Sequence, residues 1–220
     1  AKNKSMAKAI IARASLLRSK TDDFLKDKKL IKKVGQANKK LQSKLAPVVG
    51  NIPADKRELF IVEGDSAGGS AIRARNKSFQ AIYPLKGKPL NAMEASKDKI
   101  QNNAEIVGLL AAIGVGAESK SAKGFVPSYG KIILLADADV DGSHVNTLLL
   151  GNLHKFCPSL IDNGHVYTVR SPLYKGRHKN VVYFGMTREE VWKQASAQCD
   201  TTYLKGWGEL SPEDMNVALD

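Results

Sequence analysis

From residue 59 onward, strand-length apolar runs alternate with helix-length segments, and this alternation constrains the fold more than any other feature of the chain. The runs at 59–62, 80–85, 131–136 and 165–169 each match a buried strand, with 131–136 the strongest. Helical stretches follow the first run to about Arg75, span 103–113, and span 143–156, where Val145, Leu148, Leu149 and Leu153 share one face. Strands separated by helices of this length predict parallel βαβ crossovers. The expected fold is therefore α/β: an open, mostly parallel sheet flanked by helices, Rossmann-like, with ligands at the carboxyl ends of its strands.

Three parts follow along the chain: a basic helical arm and linker at 1–56, the α/β domain at 57–175, and a small α+β extension at 176–220. Within the arm, Met6, Ile10, Ile11, Ala14 and Leu17 recur at helical spacing opposite Lys8, Arg13 and Arg18. Residues 26–45 are Lys-rich and weakly patterned, and Pro47, Gly50 and Pro53 punctuate a linker. The chain opens without an initiator Met or a secretory apolar region, so it reads as an internal segment. Its longest apolar stretches fall far short of the roughly 20 residues a bilayer span needs, so no membrane partner is expected. Cys157 and Cys199 lack a CxxC partner or a His at ligand spacing, which disfavours zinc and a disulfide framework and suits a reducing, cytoplasmic setting.

Net charge is +12, and it is local. Residues 1–50 hold 14 Lys and Arg against Asp22, Asp23 and Asp27, whereas the other 170 hold 20 basic and 19 acidic residues. A cationic arm on a nearly neutral body is the footprint of a phosphate-backbone binder, although a solvated tail has the same composition.

Acidic residues fall where the expected strands end. Glu63 closes the first run, and Asp137, Asp139 and Asp141 follow the third within Asp137-Ala138-Asp139-Val140-Asp141-Gly142. Adjacent strands of a parallel sheet can bring these carboxylates together, where mutual repulsion raises their proton affinity unless a cation neutralises them. Oxygen ligands without His or Cys select a hard ion, and two or three carboxylates suit Mg²⁺ with room for phosphate oxygens. The chemistry suggested is metal-assisted phosphoryl transfer. An EF-hand loop also begins D-x-D-x-D-G, but its twelfth position here is Leu148 rather than Glu. A capping turn before a helix starting near Ser143 explains one Asp more readily than three. A second class of function stays open, because Gly64-Asp65-Ser66-Ala67-Gly68 satisfies the G-x-S-x-G of a serine hydrolase, with Asp137 and His165 following in the required order. Against it, no oxyanion-forming segment lies upstream, and Glu63 beside the turn would oppose a developing oxyanion.

Four motifs in order carry a resemblance: Glu63-Gly64-Asp65-Ser66-Ala67-Gly68-Gly69-Ser70-Ala71, Pro84-Leu85-Lys86-Gly87-Lys88, the Asp137-x-Asp139-x-Asp141-Gly142 run, and Lys205-Gly206-Trp207-Gly208-Glu209. Over residues 57–211 the chain resembles the TOPRIM region of type IIA DNA topoisomerase B subunits, those of bacterial gyrase and topoisomerase IV. The resemblance implies that Glu63, Asp137 and Asp139 hold the catalytic Mg²⁺, with Glu63 placed for proton transfer and Asp141 a weaker ligand. It implies that Lys86, Lys88 and Lys205 meet DNA phosphate, and that Asp65 and Lys86 lie near where cleavage-complex inhibitors act. The attacking tyrosine would belong to a partner cleavage subunit in a heterotetramer on double-stranded, chromosomal DNA, leaving this chain unable to cleave alone. ATP would be bound only in an N-terminal region absent from these residues. His144 resembles a common family residue with a structural role. Pro89 and Trp207 depart from the family, which carries Ile or Val and Leu there, so gyrase and topoisomerase IV are not distinguished. Another TOPRIM enzyme, a nuclease or primase, would share the Glu and DxD pair but has no need of the PLKGK and KGxGE segments.

Overall fold

A computed structural model describes residues 28–40, 44–115 and 127–219. The basic amphipathic segment at 6–17 lies outside them.

Four strands form one sheet in the order β2-β1-β3-β4: β1 (Glu58–Glu63), β2 (Gln80–Leu85), β3 (Lys131–Leu135) and β4 (Val166–Thr168). All three pairings are parallel, as the alternation of runs and helices predicts. Side chains alternate across this sheet and build a core on each face. Leu59, Ile61, Tyr83, Ile132 and Leu134 point into one, and Phe60, Val62, Ile82, Ile133 and Leu135 into the other.

The first face is covered by α4 (Ala104–Ile113) and α5 (Val140–Phe156), which contribute Ile106, Leu110, Val145, Leu149 and Leu153, with α3 (Lys97–Asn102) and α6 (Pro158–Asp162) at its margins. Helix α1 (Lys28–Lys40) also packs here, against α4, and buries Leu30 and Val34. Its apolar positions Leu30, Ile31, Val34 and Ala37 recur at helical spacing among the lysines, and Leu30, Val34 and Ala37 supply the stripe that packs on the core. The stretch after α1, expected as a linker, pairs with the sheet: Ala46 and Ile82 exchange backbone hydrogen bonds of 2.9 and 3.0 Å, occupying the outer edge of β2.

The second face is covered by α2 (Asp65–Ala74), whose Gly68 lies so close to Pro84 that a Cβ would come within 2.9 Å of the ring. Beside it lies a small antiparallel sheet of order β6-β5-β7, formed by β5 (Tyr174–His178), β6 (Val181–Gly185) and β7 (Thr201–Tyr203), with α7 (Arg188–Ala195) against it. Leu204, Trp207, Leu210 and Met215, the last from α8 (Pro212–Leu219), fill the core between this sheet and α2. Buried Asp214 accepts from Lys175 Nζ at 2.9 Å and Arg177 at 3.4 Å, tying α8 to β5. Among the described residues no helix is long and apolar enough to cross a membrane.

Candidate functional site

The carboxyl ends of β1 and β3 lie side by side, and the acidic residues gather there. Glu63 is the last residue of β1. The chain leaves it through Gly64, whose φ of 81° is a conformation that favours glycine, and enters α2 at Asp65. One Glu63 oxygen, Oε2, is buried and has no hydrogen-bond partner among the described residues. Burial raises the proton affinity of Glu63 above the ordinary carboxylate range. The charge of Asp137 adds to the shift, a hydrogen bond from the Asp137 backbone opposes it, and Asp139 and Asp141 contribute further repulsion.

Asp137 follows β3 by two residues and is half-buried. Its proton affinity is also raised, first by burial and then by the charges of Asp139 and Glu209, while a backbone hydrogen bond pulls it down. That bond comes from Trp207, whose N–H donates to Asp137 Oδ1 at 2.9 Å. Gly142 packs on the far side, where a Cβ would fall 2.2 Å from the Asp137 carbonyl oxygen.

The other two aspartates are engaged elsewhere. Asp139 caps α5, its Oδ1 accepting from Gly142 N at 2.7 Å, so the helix begins at Val140 rather than near Ser143. Exposed Asp141 pairs with Lys88, which holds its carboxyl below the usual range through a hydrogen bond and charge. No three Asp, Glu, His or Cys side chains among the described residues stand at metal-ligand spacing. Glu63 and Asp137 are brought together with Asp139 and Asp141 nearby, and the three aspartates each have Oδ1 bonded, to Trp207, Gly142 and Lys88 respectively.

Lys86 and Lys88 sit exposed on the turn after β2. The Lys86 N–H donates to Glu105 Oε2 at 3.4 Å, and the same oxygen pairs with Lys44. Lys205 is exposed, its backbone N–H donating to Glu209 Oε2 at 3.2 Å. Asp65 is exposed at the start of α2, and His144 is exposed on the first turns of α5. Ser66 also follows the carboxyl end of β1, but His165 precedes β4, and its Nδ1 lies 2.8 Å from Gly130 O, immediately before β3. The imidazole therefore stands at the amino ends of the strands, across the sheet from Ser66. The hydrolase arrangement is not formed.

Two residues of the KGxGE segment touch the site, and sequence reasoning passed over both in favour of its lysine. Besides its backbone bond to Asp137, Trp207 donates through indole Nε1 to Ala136 O at 3.0 Å. Gly206 lies flat on the Asp137 carboxylate, where a Cβ would be 2.4 Å from Oδ2. The only signal in the sequence was the pair of glycines flanking an aromatic residue.

Fold and site together define a class: an open parallel α/β domain with an all-oxygen acidic site at the carboxyl ends of its strands. Residues 58–171 match the Toprim domain, and the chain belongs to that family. The DNA gyrase B subunit of Haloferax volcanii is 43% identical over 80% of the chain, and that of Thermus thermophilus is 38% identical over 97%. The DNA topoisomerase 4 B subunit of Salmonella typhimurium is 39% identical over 84%. The aligned part spans 28, 35 and 30% of these three relatives respectively. Among solved structures, the DNA-binding, cleavage and re-ligation domain of Plasmodium falciparum topoisomerase II superposes with a TM-score of 0.63 and 28% identity. That match covers 79% of this chain and 25% of the other.

Proposed function

We propose that this chain forms the Mg²⁺-binding part of the cleavage centre of a type II DNA topoisomerase of the gyrase or topoisomerase IV kind. The observation that carries the reading is the buried, unpartnered oxygen of Glu63 beside Asp137. Such a carboxylate is costly unless a proton or a cation meets it. The donor set fits Mg²⁺, which takes one or two carboxylates and keeps water and phosphate in its remaining positions.

Glu63 and Asp137 would hold the ion. Asp139 would join by giving up its bond to Gly142, and Asp141, a weaker ligand, by releasing Lys88. When bound, the ion stabilises charge on a non-bridging or leaving phosphate oxygen. Glu63 would also serve in proton transfer at the leaving oxygen. Lys86, Lys88 and Lys205 position the double strand by its phosphates, a role that carries no sequence information. Asp65 and Lys86 border the place where an inhibitor of the cleaved complex would lodge. The attacking tyrosine comes from a separate cleavage subunit, in an ATP-dependent heterotetramer that acts on chromosomal DNA in the cytoplasm.

The test mixes the parent subunit of this chain with a tyrosine-bearing subunit and supercoiled plasmid, and scores Mg²⁺-dependent cleavage. Asp137→Asn should abolish the cleaved product. Full cleavage by that variant would remove the site from the mechanism.

A further inference from the structure

Trp207 holds two consecutive residues at the end of β3. Its indole N–H donates to the carbonyl of Ala136 at 3.0 Å, and its backbone N–H donates to Oδ1 of Asp137 at 2.9 Å. The indole is 1% exposed and packs in the second-face core with Phe60, Leu135 and Met215. A side chain locked by packing fixes the direction of its own peptide, so the donor to Asp137 is held by the core rather than by a free loop. Asp137 is also confined sterically. Gly206 presses on its carboxylate and Gly142 on its carbonyl, each closer than a Cβ would permit. Gly208 brings the same segment against Ser66, where a Cβ would meet Oγ at 3.2 Å, so the turn after β1 is held in register with the turn after β3.

Among the described residues Oδ1 of Asp137 is hydrogen-bonded only to Trp207, and Oδ2 has no donor. The carboxylate is thus fixed in rotation by one oxygen while the other stays free for a further ligand. We propose that Trp207 is a positioning residue for Asp137, setting the cation affinity of the site through the indole hydrogen bond that fixes the Ala136 peptide in front of Asp137, and that its indole reports on the occupancy of that site. This inference rests on the metal reading given above. Outer partners that orient a metal ligand affect affinity by about tenfold or more when removed, even though they never touch the ion. Core packing holds the backbone donor to Asp137, whereas the indole N–H alone holds the Ala136 carbonyl, so the second contribution can be removed while the first is kept.

The experiment uses the 220-residue chain with Trp192→Phe, which leaves Trp207 as the single tryptophan. Mn²⁺ serves as the probe, with free ion counted by electron paramagnetic resonance and Mg²⁺ added as competitor. Two replacements remove the indole N–H: Trp207→Phe, and incorporation of 3-benzothienylalanine at 207, which keeps the bicyclic shape and so the core packing. Both should weaken Mn²⁺ binding about tenfold at a temperature where the chains are folded, as Asp137→Asn does more severely. In the parent, Mg²⁺ should change Trp207 emission, and Asp137→Asn should abolish that change. If the benzothienyl chain binds Mn²⁺ like the parent while Asp137→Asn does not, positioning is disproved and the metal site survives. If Asp137→Asn itself binds like the parent, the metal reading falls and this inference falls with it.

Discussion

Lys88 Nζ donates to Asp141 Oδ1 at 2.7 Å, so a lysine read as a DNA contact and an aspartate read as a weak metal ligand are bound to each other. The pair spans the turn after β2 and the first turn of α5, and both side chains are well exposed, at 48 and 70%. A cation entering the proposed site would compete with Lys88 for Asp141, and the displaced ammonium would then be free for a phosphate. Lys88→Ala should therefore tighten Mg²⁺ binding a few-fold in the absence of DNA. The gain should shrink as ionic strength rises, because both side chains are exposed and surface ion pairs weaken with salt. Calorimetric titration at two ionic strengths reads this out. A lysine that serves DNA alone would leave DNA-free Mg²⁺ affinity unchanged.

The basic N-terminal region divides into parts with different expected effects. Removing residues 1–27 takes away Lys and Arg and should flatten the dependence of log K for DNA on log salt, by roughly 0.9 per lost phosphate contact. Extending the deletion through α1 should also unsettle the fold, since Leu30 and Val34 are buried against α4. Leu30→Ala alone should cost about 2–5 kcal/mol, the usual range for emptying a buried leucine site. An equal melting temperature for Leu30→Ala and the parent would mean that α1 is not docked in solution.

Ser66 should be inert to a fluorophosphonate probe. The structure places the His165 imidazole at the opposite ends of the strands from Ser66. Mass spectrometry after labelling checks this, and stoichiometric modification at Ser66 would restore the hydrolase reading.

The parallel sheet was legible because Leu59, Ile61 and their neighbours are apolar on both faces, which is what a strand covered on each side requires. The position of Glu63 at a strand end followed from the same run. The role of Asp139 was not legible. A carboxylate before a helix serves equally well as a cap or as a ligand, and only its distance to Gly142 shows the first use. The contact of Trp207 with Ala136 and Asp137 was hidden for another reason. It joins residues about 70 positions apart, and no local periodicity encodes which distant strand end a buried indole will meet. Helix α1 was legible in the helical spacing of Leu30, Ile31, Val34 and Ala37, which a reading of 26–45 as Lys-rich and weakly patterned passes over.

Glu63 should act in the chemical step and not in holding the fold. Its proton affinity is raised first by burial and next by the charge of Asp137. A carboxyl whose folded pKa lies above its unfolded one favours the native state while protonated. That contribution is fully present below the ordinary value of 4.5 and is lost as pH rises through the raised value. Metal-free wild type should thus lose thermal stability over that window, and Glu63→Gln, which keeps the shape without the charge, should lose less. At neutral pH the variant should melt at the same temperature as wild type or higher, because repulsion with Asp137, Asp139 and Asp141 has gone. In the reconstituted enzyme the same variant should lose DNA cleavage by at least about a hundredfold, the scale of a general acid-base contribution, and by more if metal binding is lost as well. Added Mg²⁺ should raise the melting temperature of wild type and leave that of Glu63→Gln nearly unchanged, since only wild type has the full site to bind it. A Glu63→Gln chain that cleaves DNA normally would place the proton transfer on another residue. One that melts well below wild type at neutral pH would make Glu63 a structural carboxylate instead.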